Sequence, residues 1–197
     1  NDNFSEIDSK LWCLCKSAAC LRQLAYEVWD TKAEQLKEID DLVDNIWTNE
    51  TELNGADDED DDANGFKDDL HGWDFVNKTG HIGDWNGHGT HCAGIAAAVG
   101  NNKIGITGAN PDALIMPITV MQSDGTGDVA TIIKGIDYAA ANGADVISMS
   151  LGGYGYSLAE EQALGKAYAT AVIVAAAGND FKCIYFFLML ILRRCHK

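Results

Sequence analysis

The feature that most constrains this chain is the alternation of apolar runs with helical periods between residues 88 and 177. His88 to Val99, rich in Gly and Ala, reads as a small-residue helix, and Ala113 to Val120 as an apolar strand. Asp128 to Ala141 places Ile132, Ile133, Ile136 and Ala140 on one helical face. Ala144 to Leu151 reads as a buried strand, Leu158 to Thr170 as a helix and Ala171 to Ala177 as a further strand. Strands that alternate with helices pair in parallel through right-handed crossovers and carry helices on both faces. A strand covered on both faces must be apolar almost throughout, as Val172-Ile173-Val174-Ala175 is. The expected fold class is therefore α/β, a doubly wound, mostly parallel sheet with helices on both faces. In such sheets the chemistry gathers at the carboxyl ends of the strands.

Upstream the pattern is different. In residues 1 to 40, Leu11, Leu14, Ala18, Leu21, Ala25 and Val28 recur at three- and four-residue spacing, which predicts a packing helix without chemistry. Residues 41 to 87 are loop-rich, acidic and punctuated by Gly and Asn. The expected division is an N-terminal helical segment over 1–40, the α/β portion over 41–180, and an apolar tail over 181–197. The run Cys183 to Leu192 is strongly apolar and ends in Arg193-Arg194, but it is shorter than the roughly 18 residues of a membrane span. No membrane span is expected. The chain opens on Asn1, without a basic flank and apolar stretch, so it reads as a processed chain or a fragment.

The formal net charge of -16 excludes two partner classes. Nucleic-acid contacts need Lys and Arg in excess, and so does docking on anionic lipid. The six cysteines, at 13, 15, 20, 92, 183 and 195, match no CxxC zinc pair or redox motif and read as incidental thiols.

Four stretches carry candidate chemistry. In Asp84-Trp85-Asn86-Gly87-His88-Gly89-Thr90-His91-Cys92-Ala93-Gly94, a histidine stands at a helix start between two glycines. It is presented without crowding, as a general base working near neutral pH requires. Zinc binding by His88 and His91 is the rival reading. Their three-residue spacing without an intervening Glu does not match the metalloprotease pattern. His91 is then expected to be a buried helix residue. In Ala175-Ala176-Ala177-Gly178-Asn179-Asp180, the Asn179 amide at a strand end can donate to an oxyanion, although a lone Gly-Asn also ends strands as a turn. Ser148-Met149-Ser150-Leu151-Gly152-Gly153 and Ser123-Asp124-Gly125-Thr126-Gly127 are Gly-rich loops; the second is no phosphate loop, because no Gly-Lys-Ser/Thr follows. In the fourth, Asp60 to Asp69, oxygens of Asp60, Asp62 and Asn64, the turn at Gly65 and the Phe66 carbonyl follow the first half of an EF-hand-like calcium loop. His71 stands where the closing Glu belongs, so Asp69 or Asp68 must complete the shell. The alternative is a solvated acidic run.

Together these strings resemble the subtilisin-like serine peptidases (subtilases). The resemblance covers roughly residues 41 to 180 and the N-terminal part of that family's catalytic domain. It also includes Asp41-Leu42-Val43-Asp44-Asn45-Ile46-Trp47, Gly72-Trp73-Asp74-Phe75-Val76 and Gly108-Ala109-Asn110-Pro111. It implies a subtilisin-like fold and a serine endopeptidase that cleaves extended polypeptide through an acyl-enzyme. His88 would be the general base and then acid, and Asn179 the oxyanion donor. Asp84 and Asn86 would lie at the wall of the substrate cleft. Backbone at Gly125 and at Ser150, Leu151 and Gly152 would flank the substrate as added strands. The resemblance also implies structural calcium held by Asp60, Asp62, Asn64, Phe66 and Asp69, with a second site using Asp41 and Asn102. Family habit points to a secreted or endomembrane location.

Two departures from the family pattern stand out. Its aspartate motif is an apolar strand followed by Asp-Ser/Thr-Gly. Asp30-Thr31 sits near the right distance, but Lys32 replaces the glycine and the surrounding pattern is helical. No Gly-Thr-Ser string occurs, so the nucleophilic serine of the family is absent from these 197 residues. They are expected to be inactive alone. The alternative is a truncated pseudopeptidase acting as a peptide- or calcium-binding module. The missing C-terminal part of the domain is an expected partner.

Overall fold

The computed structural model describes residues 10–15 as a strand, and residues 41–84, 86–153 and 155–176 in full. In chain order its elements are β1 (Lys10–Cys15), a 3-10 turn at Val43–Asn45, α1 (Glu50–Leu53), β2 (Trp73–Asp74), α2 (His88–Ala97), β3 (Leu114–Thr119), α3 (Val129–Ala141), β4 (Val146–Ser150), α4 (Leu158–Ala167) and β5 (Val172–Ala175). The described strands form one sheet in the order β2-β3-β1-β4-β5, with every neighbouring pair parallel.

Side-chain alternation along β3 shows why the sheet is covered on both sides. Met116 and Ile118 point into the larger core, with Ile147 and Met149 of β4, Ile132, Ile136 and Ala139 of α3, and Ala163, Leu164 and Ala167 of α4. Ile115 points the other way, against Ala93 and Ala97 of α2 and against Leu42. Successive residues of a strand face opposite sides. Thus α3 and α4 pack on one face and α2 on the other. This is the doubly wound α/β sheet expected from the sequence. Gly89, Ala93 and Ala97 form the buried stripe of α2, small enough for the helix to approach closely.

Local chemistry sets the helix limits. Asp128 caps α3 by accepting from the Thr131 amide at 2.9 Å, and Ser157 caps α4 by accepting from the Glu160 amide at 3.2 Å. Helix α3 ends in a Schellman turn. Gly143 adopts φ 80, its amide donates to the Ala140 carbonyl, and the Ala144 amide donates to that of Ala139.

The register aligns the strand ends. Cys15 lies beside Thr119 and Ser150, Asp74 beside Thr119, and Met149 beside Ala175. Loops that follow these residues therefore leave from one carboxyl edge.

One expectation fails. Lys10–Cys15 is a strand paired with both β3 and β4, not part of a helix. The run Leu-Trp-Cys-Leu-Cys is short and apolar, and periodicity cannot separate a short helical turn from a central strand of a parallel sheet. Ala18, Leu21, Ala25 and Val28 lie outside the described residues, as does the apolar run 183–192. Among the described residues no helix is long and apolar enough to cross a membrane.

Candidate functional site

His88 is the first residue of α2, half-buried, after Gly87 in a left-handed conformation with φ 82. That φ favours glycine and lets the chain turn sharply into the helix. Among the described residues the ring has a single side-chain hydrogen-bond contact. Its Nε2 lies 3.8 Å from Cys92 Sγ, one turn along the helix. Its Nδ1 is buried and is the one such side-chain polar atom among the described residues with no hydrogen-bond partner. Buried polar atoms are rarely left so, and an exception calls for an explanation. A carboxylate accepting from Nδ1 would satisfy it and fix the tautomer, the role that the resemblance assigns to an aspartate. Asp30 lies outside the described residues. His91, expected to be buried, is exposed. It points away from the stripe Gly89, Ala93 and Ala97, on the same side as the exposed Ile95.

The segment before His88 is tied down at two points. Asp84 accepts from the amides of Asn86, Gly87 and Thr90 and from the Thr90 hydroxyl. Asn86 Nδ2 donates to the Ser123 carbonyl at 3.2 Å. Ser123 follows the carboxyl end of β3, so the histidine turn meets the loop at 123–127 on that edge. That loop is an exposed turn. The Gly125 amide donates to the Gln122 carbonyl at 2.9 Å, and the Gln122 amide to that of Thr126 at 2.7 Å. Gly125 has φ 80, and Thr126 donates both its amide and its hydroxyl to Asp124. Those two bonds hold the Asp124 carboxyl below the usual carboxylate range. At the end of β4, Ser150 is half-buried and Leu151 is buried in the core, while Gly152 and Gly153 are exposed with open space where a side chain would stand. Asn179 lies outside the described residues.

The acidic loop folds around its own carboxylates. Asp60 accepts from the Asn64 and Gly65 amides, and Gly65 makes the sharp turn with φ 93. Asp62 accepts from the Asn64 amide and from the side-chain amides of Asn64 and Asn49. Asp69, fully buried, accepts from Asn49, Asn64 and the Tyr138 hydroxyl. Burial raises the Asp69 carboxyl above its ordinary range, against the lowering effect of Tyr138, Asn64 and Asn49. Phe66 anchors the loop in the core, edge-on to Trp73, Phe75 and Tyr138 at centroid distances of 5.0, 5.5 and 5.0 Å.

Carboxylate oxygens of Glu52, Asp62 and Asp69 lie within 4.8 Å of one another, a group able to hold a metal ion. Three like charges so close repel unless a cation or protons offset them. Hard carboxylate oxygens suit calcium. Asp62 and Asp69 are among the candidate ligands that the loop motif names. Glu52 is not, because it comes from α1, outside the loop motif. Its carboxylate also accepts from the amides of Asp61, Asp62 and Asp68. Elsewhere, Asp41 is buried and accepts from Asn102 Nδ2 at 2.9 Å and the Ile106 amide at 2.8 Å, so the two residues paired by the resemblance do meet.

A family model described as the subtilase family matches residues 28–184. Thermitase of Thermoactinomyces vulgaris is 50% identical over 109 residues, covering 55% of this chain and 39% of that protein. Subtilisin DY of Bacillus licheniformis is 48% identical over 110 residues, covering 55% and 40%. Among solved structures, Sphericase is 39% identical with a TM-score of 0.50, covering 55% of this chain and 39% of that one. The chain thus spans about two fifths of the length of these relatives. With the motifs in family order and the parallel sheet that carries them, this chain belongs to the subtilase family.

Proposed function

We propose that these residues are the first part of a subtilisin-like serine endopeptidase domain, spanning residues 41 to 180, that hydrolyses extended polypeptide through an acyl-enzyme. The observation that carries this reading is the His88 imidazole. It stands at a helix start, beside the carboxyl edge of a parallel sheet, with a buried Nδ1 that lacks a partner among the described residues. In the reaction His88 takes the proton of a serine hydroxyl as that oxygen attacks the scissile carbonyl. It then returns the proton to the leaving amine. Asn179 donates to the oxyanion of the tetrahedral intermediate. The backbone at Gly125 and at Ser150, Leu151 and Gly152, with Asn86 at the wall, binds the substrate as an added strand.

The serine must come from outside these 197 residues, which contain no Gly-Thr-Ser. Alone they are inactive in this reading. The remainder of the domain is the expected partner, and the exposed Val172 and Val174 on β5 support a covering element there. Calcium at Glu52, Asp62 and Asp69, with Asp60, Asn64 and the Phe66 carbonyl as the further ligands that the loop motif offers, holds the acidic loop and takes no part in the chemistry. The second reading, a pseudopeptidase that binds peptide or calcium, is favoured only by that same carboxylate cluster. Secretion or an endomembrane location follows the family's habit.

The transcript beyond codon 180 separates the two readings. An in-frame Gly-Thr-Ser segment supports the peptidase, and a stop after Lys197 supports the binding module. Robust hydrolysis of an unstructured protein by the 197-residue chain itself would contradict the assignment of the nucleophile to a later segment.

A further inference from the structure

We propose that Asp84 is a positioning residue for His88, acting through the backbone of the turn that starts α2; this rests on the reading of His88 as the general base. A helix leaves its first amides without intrahelical partners. The N-cap of α2 is Gly87, which has no side chain to accept from them. Asp84, three residues upstream of the cap, accepts from one of them, that of Thr90, and from the two amides just before the helix. Its Oδ1 accepts from the Asn86 amide at 2.9 Å and the Gly87 amide at 2.6 Å. Its Oδ2 accepts from the Thr90 amide and the Thr90 hydroxyl, each at 3.0 Å.

One carboxylate therefore grips the backbone on both sides of His88. The two adjoining glycines, Gly87 and Gly89, leave that backbone otherwise permissive. The charge also lies at the positive end of the helix dipole, where an anion is favoured. The imidazole has no strong side-chain tether among the described residues, only the 3.8 Å contact with Cys92 and the unpartnered Nδ1. Whatever accepts from Nδ1, the ring starts from where its backbone puts it, and Asp84 fixes that backbone. Thr90 completes the clamp by donating twice.

The test is the rate at which diethyl pyrocarbonate modifies His88 relative to His91 in the 197-residue chain, read by peptide mass spectrometry. His91 is exposed on the same helix and serves as the internal reference. Asp84→Ala should raise the His88 to His91 rate ratio about tenfold, the size of a lost cap. Asp84→Asn keeps one acceptor oxygen and should raise it less. Thr90→Val removes the hydroxyl donor alone and should raise the ratio by about two- to threefold, a fraction of that cap. It carries the test if Asp84→Ala fails to fold by circular dichroism. An unchanged ratio in the folded variants would overturn the proposal. So would equal acceleration of both histidines, which means that the helix merely frays. Because hydrolysis is not read, failure of the peptidase assignment leaves the rate ratio interpretable.

Discussion

The hydroxyl of Tyr138 donates to Asp69 across 2.6 Å, joining helix α3 to the acidic loop over 69 residues of sequence. Both ends are buried, and Asp69 is fully so. Tyr138→Phe keeps the ring against Phe66 and Phe75 and removes this bond. The variant should lose about 1.5 to 3 kcal/mol, the usual range for a hydrogen bond to a charged group. Urea unfolding in chelator measures it. A loss below a few tenths of a kcal/mol would mean that the loop is not fastened to α3 through this pair.

Burial lifts the Asp69 carboxyl above its ordinary value, so the fold favours its protonated form. This contribution to stability is fully present below the ordinary value of 3.8 and is lost as the pH rises through the elevated one. In chelator, wild type should therefore lose stability relative to Asp69→Asn as the pH climbs from 3.8 through that value. Parallel stability curves for the two proteins would contradict this account of the cluster.

On the proposed reading calcium should reverse that trend, because it would bind the ionised carboxylates. At a hundred times its Kd, calcium adds about 2.7 kcal/mol to a protein that binds it only when folded. Melting temperature should rise with calcium and return to baseline with chelator. Glu52→Gln and Asp62→Asn should each shrink the shift. Full retention of the shift in both variants would place the ion elsewhere.

Asp128 receives the Thr131 amide and hydroxyl at 2.9 and 2.7 Å, which hold its carboxyl below the ordinary range. Asp128→Ala should cost about 1 kcal/mol as a lost cap. The depressed value means that wild type has this advantage above an ordinary aspartate pKa and loses it as the pH falls through the lowered one. Thermal melts of the pair at neutral pH and in strong acid test both statements.

Much of this architecture could be read from residue pattern. The strands around Ile115, Ile147 and Ile173 and the helices around Ile136 and Leu164 lie within three residues of their expected limits, because each is an apolar period bounded by turn or capping residues. Lys10–Cys15 departs from the expected helix because the short apolar run Leu11–Cys15 fits either period. His91 was misread although the signal was available. Gly89, Ala93 and Ala97 repeat every four residues and mark the buried side of α2, and His91 is off that stripe. Contacts between distant parts of the chain were not legible. Nothing in the spacing announces Glu52 beside Asp62 and Asp69, or Tyr138 beneath them. Nor does the spacing announce that the Asp84 carboxylate accepts from the amides of Gly87 and Thr90 at the start of α2.

The central claim is that His88 activates a serine lying outside these residues. It is tested most directly by joining this chain to a family-type Gly-Thr-Ser segment and measuring hydrolysis of an unstructured protein alongside labelling by a serine-directed fluorophosphonate. The account predicts turnover and labelling in the joined chain, loss of both in His88→Ala, and neither in the 197 residues alone. Undiminished turnover in His88→Ala, or serine-dependent hydrolysis by the unextended chain, would contradict it.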